Sequence, residues 1–578
     1  MINEICEVFN REYEKLEDNM ITDDYTLALG DYARFTLEDT YDTLEFFKVD
    51  KNTDVEQDDY KYFAKLDLMS TLISMNKPID SKKIIHSNNI YTFFIKKDNL
   101  DPKNGKLNDD IIDEYYNILK NPSLKYKNKR KSMELYLEME EAYGKPNIEL
   151  IDKINFWIKE NIFSMEKQFS NEKTYLKLFY DTSLENYKGE SEKYILPNIY
   201  NSTDYNVKIN GKVYGLPDFN MGLNSKKPYL ENKTRKSKLP ILVARDKIII
   251  QKKLFDYLMN HSAQGKNYLY IDKEIEGVSP KENNKNNFQG YFLRVTKGKE
   301  VQIEDSDSIT RYNYNFINSI KVIPILEDGV GKDFKLLKGQ LKNIGELKIA
   351  IDEVFFYKWL NGNLFTEAKK ISINDSVLKR ILIQLRYGFY TWFYKGDDSI
   401  VRSFWNKVTK EILYNSMSEG NINGAINQFN LRHTLLDYFE NKNGGENMAR
   451  IIENIRRDVD EKINIIKDEE YKVEIDNDKE YYFCIGQLMR YFYVINKSNS
   501  KNYSFLRPLL VANDDKFMKE QLKRLFVKYS YAITGSIRFN NMYYMVSAYE
   551  SKEVVDQDTF IAGFLCPNLI LKKKEENN

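Results

Sequence analysis

Apolar residues recur at helical spacing along most of the chain and at alternate positions in one central stretch. Ile151, Ile154, Trp157, Ile158 and Ile162 fall on one face between Leu150 and Phe163, which predicts a half-buried helix. From about residue 200 the texture changes. Val207 and Ile209 alternate before Asn210-Gly211, with Val213 beyond; Asn-Gly favours the type I′ turn, so this stretch predicts a hairpin. Strand-like runs follow at Tyr268 to Ile271, Gly290 to Val295 and Lys321 to Leu326, with a helical pattern at Ile249 to Leu258. Beyond about 340 helical spacing dominates, first in Val377, Ile381, Leu382 and Leu385. It resumes in Ile452, Ile455, Val459 and Ile463, after an Asn-Lys-Asn-Gly-Gly-Glu-Asn break that begins at 441. Two further helices are predicted, one with Ile485, Leu488, Met489 and Phe492 inward, the other with Met518, Leu522, Leu525, Phe526, Tyr529 and Ile533.

The fold class is therefore α+β. A mixed, largely helical region (1–200) precedes a central α/β region (201–335), a helical region (336–445) and a C-terminal helical bundle (446–578). A length of 578 residues exceeds what one core supports, and 42% hydrophobic residues argue against disorder. Cys6, Cys484 and Cys566 are odd in number and far apart, so they predict buried thiols rather than a disulfide framework. The N-terminus lacks the pattern of a signal peptide, and no stretch approaches 18 uninterrupted apolar residues. The expectation is a soluble cytoplasmic protein with no membrane partner.

Local chemistry is sparse. His86, His261 and His433 are distant in sequence, and His433 reads as a surface or satisfied, partly buried side chain. Asp109, Asp110, Asp113 and Glu114 are spaced as the solvated face of a helix more readily than as a magnesium site. The Asp-Gly-Val-Gly-Lys stretch at 328–332 lacks both the spacing and the Ser or Thr of a phosphate loop, which argues against an ATP-driven motor. No catalytic residue, metal ligand or cofactor is assigned.

Charge carries more information. The chain totals 87 basic and 87 acidic residues, yet Gly211 to Lys253 holds eleven Lys or Arg against Asp218, Glu231 and Asp246, a local net of +8. That asymmetry asks for an anionic partner. In its centre Lys226, Lys227, Lys233, Arg235, Lys236 and Lys238 interleave with Asn220, Asn224 and Asn232, residues that neutralise phosphates and read base edges. An ordinary charged loop remains the plain alternative. A second window, Tyr481 to Ala548, has ten Lys or Arg against three acids, a net of +7, and its Lys516, Lys519 and Lys523 are expected on one helical stripe. A further basic run, Lys125, Lys127, Lys129, Arg130 and Lys131, connects helical stretches near the N-terminus.

GLPDFNMGLNSKKPYLENKTRKSKLP, followed by QKKLFDYL, resembles the central signature of the large subunits of type I-B CRISPR interference complexes (Cascade). Downstream, IGQLMRYFYVINKS, LKRLFVKYSYAI, RFNNMYYMVSAYE and FIAGFLCP are similar to the part of that family that forms a helical bundle like the Cascade small subunit. The resemblance covers roughly 170–260 and 445–578. It implies a non-catalytic subunit that binds the CRISPR RNA near its 5′ handle, helps recognise the protospacer-adjacent motif, stabilises the R-loop and recruits a separate helicase-nuclease. The implied partners are CRISPR RNA, target double-stranded DNA, the other Cascade subunits and that nuclease. By position it nominates Asn220, Asn224, Lys226, Lys227, Lys233, Arg235 and Lys236 as nucleic-acid contacts. In the bundle it nominates Arg490, Lys497, Lys519, Lys523, Arg524 and Arg538, with Gln487 and Asn540 as polar helpers. It also makes Met448 a candidate internal start for a separate small subunit. Two readings from other classes stay open: a nuclease with an assembled carboxylate metal site, and a general RNA-binding scaffold.

Overall fold

A computed structural model describes residues 1–74, 77–165, 173–218, 242–279, 285–298, 301–326, 339–440, 444–465, 473–496, 504–552 and 554–572. The architecture is α+β, in two compact units: Met1–Asn283 with Phe288–Thr310, and Asn284–Asn287 with Arg311–Asn578.

The first unit contains helices α1 (Ile2–Leu16), α2 (Asn19–Thr22), α3 (Asp58–Met69), α4 (Asp109–Lys120), α5 (Arg130–Tyr143), α6 (Ile148–Asn161), α7 (Leu184–Ile199) and α8 (Arg245–Ala263). Strands β1 (Gly30–Phe35), β2 (Phe46–Val49), β3 (Thr92–Lys96) and β4 (Tyr175–Tyr180) form a sheet in the order β2-β1-β4-β3, with β1 and β4 parallel. This sheet has no counterpart among the predicted strands. Its strands are buried by aromatic residues such as Tyr32, Phe35, Phe93 and Phe179, so the period-two alternation that marks a half-exposed strand is weak. The sheet is tied to α3 by Lys177 on β4, whose ammonium lies 2.6 Å from both carboxylate oxygens of the buried Asp67. β5 (Val207–Ile209), β6 (Lys212–Gly215) and β7 (Val243–Ala244) make a small sheet. β8 (Tyr268–Ile271), β9 (Ile275–Val278), β10 (Phe288–Lys297) and β11 (Val301–Tyr312) make another, in the order β11-β10-β8-β9.

The second unit pairs β12 (Asn315–Lys321) with β13 (Gln340–Asn343) and continues as helices. These are α9 (Ile344–Phe356), α10 (Ser376–Lys395), α11 (Ser399–Glu419), α12 (Ile422–Glu440), α13 (Gly444–Asn464), α14 (Asp478–Ile495), α15 (Arg507–Leu510), α16 (Asp515–Tyr529), α17 (Ile537–Ala548) and α18 (Gln557–Leu565). The apolar faces read from sequence on α13 and α14 are buried, as are those on α10 and α16 except for half-buried Val377 and Phe526, while Ile533 lies past the end of α16; Leu413, Met417 and Phe429 share one core cluster with Ile452, Val459 and the helices that follow. Met448 lies inside α13 and packs against that cluster.

One predicted strand is corrected. Past Lys321 the run to Leu326 leaves the sheet because α12 supplies its hydrogen bonds: Thr434 Oγ1 accepts from Ile323 N at 3.3 Å and Asn430 Oδ1 from Leu326 N at 3.0 Å. Pro324, lacking an N–H, could not continue a ladder.

Helix starts are capped by the side chains of Asn108, Asn147, Ser183, Asn343, Asp375, Asn477, Asp514, Ser536 and Asp556, whereas Asp18 before α2 and Asp398 before α11 make no such bond. α14 and α18 are held together by glycine contacts. A Cβ on Gly486 would lie 2.3 Å from Phe560 O, and one on Gly563 2.2 Å from Phe483 O. Gln487 is buried between them, its Oε1 accepting from Leu569 N at 2.8 Å. Gly486→Ala is therefore expected to destabilise the second unit by about 1–3 kcal/mol through overpacking, read as a lower denaturation midpoint.

Candidate nucleic-acid interface

The strongest basic signature is mounted on a short piece of sheet. Asn210 and Gly211 both have positive φ, 48° and 79°, so the predicted type I′ hairpin forms between β5 and β6. β6 then pairs with β7, Gly215 opposite Val243 and Tyr214 opposite Ala244, which sets side by side the points where residues 219–241 begin and end. Gly215 is required there: a Cβ would come within 2.4 Å of the Tyr200 ring and of Asn206 Oδ1.

A polar clamp fixes this root. Asp218 is fully buried, and its backbone N–H donates to Ile199 O at 2.9 Å. Its carboxylate pairs with the Lys77 ammonium, which also donates to Asn198 O at 2.8 Å and Tyr200 O at 2.7 Å. Across the root the Tyr200 hydroxyl donates to Val243 O at 3.3 Å. α8 starts two residues later with Arg245 paired to Glu138, and the QKKLFDYL stretch buries Gln251, Leu254, Phe255 and Leu258. Asn220, Asn224, Lys226, Lys227, Lys233, Arg235 and Lys236 lie in 219–241, outside the described residues.

In the C-terminal bundle the nominated cations separate into two groups. Lys523 and Arg524 are exposed on α16, Arg524 with Glu520 at 2.5 Å. Lys516 is exposed on the same helix, as is Lys528. Lys519, expected on the stripe with Lys516 and Lys523, instead turns to Tyr549 O and Asp515, its ammonium 5.6 Å from the Tyr481 ring centre. Arg538 donates to Asn464 Oδ1 at 2.6 Å and to the carbonyls of Leu569 and Lys572, so it fastens α17 to the chain end. Arg490 lies between the rings of Tyr493 and Phe564, at 5.8 and 5.5 Å. Lys497 lies outside the described residues, and Asn540 is half-exposed. Lys516 is exposed as the stripe expected; Lys528 also lies inside the basic window, and its helical position was the signal that could have singled it out.

Asp113, Glu114 and the three histidines have structural surroundings, while Asp109 and Asp110 are exposed. Asp113 pairs with Lys159 at 2.9 Å and accepts from Asn155 at 2.7 Å, and Glu114 accepts from Ser81 at 3.3 Å. His86 contacts the Tyr175 hydroxyl at 3.1 Å, the His261 ring lies tilted against that of Tyr257 with centroids 4.1 Å apart, and His433 is buried beside Arg432, 2.9 Å from its guanidinium. Among the described residues no group of three or more His, Cys, Asp or Glu side chains could hold a metal ion, and no helix is long and apolar enough to cross a membrane. No family model matches the chain, and no curated protein or solved structure matches it either.

Two outcomes follow. Lys77→Ala leaves the buried Asp218 carboxylate without its ammonium and is expected to destabilise the first unit by about 3–5 kcal/mol in chemical denaturation. Burial pushes the His433 imidazole down to about 3 and that of His261 to about 4. Unfolded imidazoles protonate near pH 6.5, so as the pH falls from there toward 4 the unfolded state takes up protons that the folded state refuses. Unfolding free energy is expected to fall by up to about 1.4 kcal/mol per pH unit for each imidazole in that window, and His433→Gln should flatten the slope.

Proposed function

We propose that the chain is the non-catalytic large subunit of an RNA-guided complex that targets DNA, of the type I-B Cascade kind. One observation carries the reading: the segment that resembles the family signature lies in a stretch of net +8 and is carried on a root fixed by β6, β7 and the Lys77–Asp218 clamp. A cationic segment on a fixed root suits a protein that grips phosphates and offers a few side chains to base edges, while pairing with a guide reads the sequence. In this role the chain binds CRISPR RNA near its 5′ handle and helps recognise the protospacer-adjacent motif. It also stabilises the R-loop and recruits the helicase-nuclease. The exposed cations of α16 supply a second grip on a strand.

Purification of the tagged chain from its own cells should bring down repeat-derived guide RNA with companion subunits; unselective RNA or none would count against the proposal. In vitro, Lys226→Ala with Lys227→Ala should weaken nucleic-acid binding and reduce the slope of log affinity against log salt by about two. An unchanged slope would leave this segment a structural role only.

A further inference from the structure

The basic run from Lys125 to Lys131 has no part in the function proposed above. It holds five basic residues in seven positions and no acid. Two of them anchor it. Lys125 donates to Pro78 O and, at 3.2 Å, to Ile79 O, while Lys131 donates to Asn206 O at 2.8 Å. Between them Tyr126 is buried, its hydroxyl accepting from Asn198 Nδ2 at 3.2 Å, and Ser132 meets Thr203 at 3.0 Å. These anchor points adjoin the clamp already described: Pro78 follows Lys77, Asn198 O accepts from Lys77, and Asn206 precedes β5. The run is thus fastened beside the root of the signature segment.

The rest of the run faces solvent. Lys127 and Lys129 are exposed with no ion-pair partner among the described residues, and the Arg130 side chain is 92% exposed and paired with Glu134 at 2.9 Å. The charges are close enough to act on one another: burial, with Lys129 and Lys83 adding to it, pushes the Lys125 ammonium down to about 8. They also occupy an electrostatically unfavourable place. Lys129 stands at the N-cap of α5, with Arg130 and Lys131 in the first turn, no side-chain cap and no acid there. Cations at the positive end of a helix raise the folded chain's energy, and an anion beside them lowers it. Side chains spread over an exposed surface suit successive phosphates of a strand better than one small anion.

We infer that Lys127, Lys129 and Arg130 form a further phosphate-binding ridge, which takes the backbone of a nucleic-acid strand lying beside the root of the signature segment. The inference rests on the proposed function in taking nucleic acid as the ligand. The test is Lys127→Gln with Lys129→Gln in the full chain, since neither side chain has an ion-pair partner among the described residues whose loss would disturb folding. Binding to fluorescent single-stranded RNA and to double-stranded DNA is measured over a salt series, with Lys103→Gln and Lys106→Gln, also exposed, as the control. The expected result is about a tenfold loss of affinity and a salt slope reduced by about two, against an unchanged control. Unaltered affinity and slope, or an equal loss in the control, overturns the ridge while wild-type binding leaves the proposed function standing. A wild-type chain that binds neither nucleic acid overturns both. If the variant loses binding to anionic vesicles or an acidic peptide but keeps its nucleic-acid affinity, the ridge belongs to another ligand.

Discussion

The chain that departs at Asp218 must return at Leu242 beside its point of departure, because β6 and β7 are antiparallel neighbours. Everything proposed for the first unit depends on this constraint. The Asp218 carboxylate is buried at this root, and a buried carboxylate is tolerated only with a cation and hydrogen-bond donors around it. Lys77 meets that need and, through the carbonyls of Asn198 and Tyr200, joins the root to the end of α7. The hairpin, α8 and the basic run ahead of α5 are all fastened within a few residues of this ammonium.

Lysine has two roles in this molecule, and burial separates them. Lys177 with Asp67, Lys97 with Asp31 and Lys193 with Glu190 are buried pairs in which the ammonium serves the fold. Lys519 and Arg538 do similar work in the second unit, since both donate to backbone carbonyls. Other cations stay in water, either beside an exposed acid, as Arg524 with Glu520 and Arg130 with Glu134, or with no ion-pair partner among the described residues, as Lys523 on α16 and Lys127 and Lys129 before α5. In solvent a phosphate contact comes with little desolvation cost and releases counterions, which suits these side chains to a polyanion.

Periodicity and local turn chemistry were legible in the sequence. The helices carrying Ile151 to Ile162, Val377 to Leu385 and Ile452 to Ile463, and the Asn210-Gly211 hairpin, form because spacing of three and four or a positive-φ dipeptide acts over a few residues. The excess of positive charge at Gly211 to Lys253 is likewise a property of the chain alone.

Tertiary structure decided what depends on distant partners. The first sheet needs β1 beside β4, far away in sequence, and the hydrogen bonds that hold the segment after Lys321 away from a ladder come from Asn430 and Thr434 on α12. The near approach of Gly486 and Gly563 to facing backbone is invisible until α14 and α18 are packed. The same holds for the site: sequence set Lys516, Lys519 and Lys523 on one helix as equals, and only the position of Tyr549 and Asp515 turned one of them inward. Net charge sums along a chain, whereas the availability of each charge is set by which acceptors the fold places within a hydrogen bond of it.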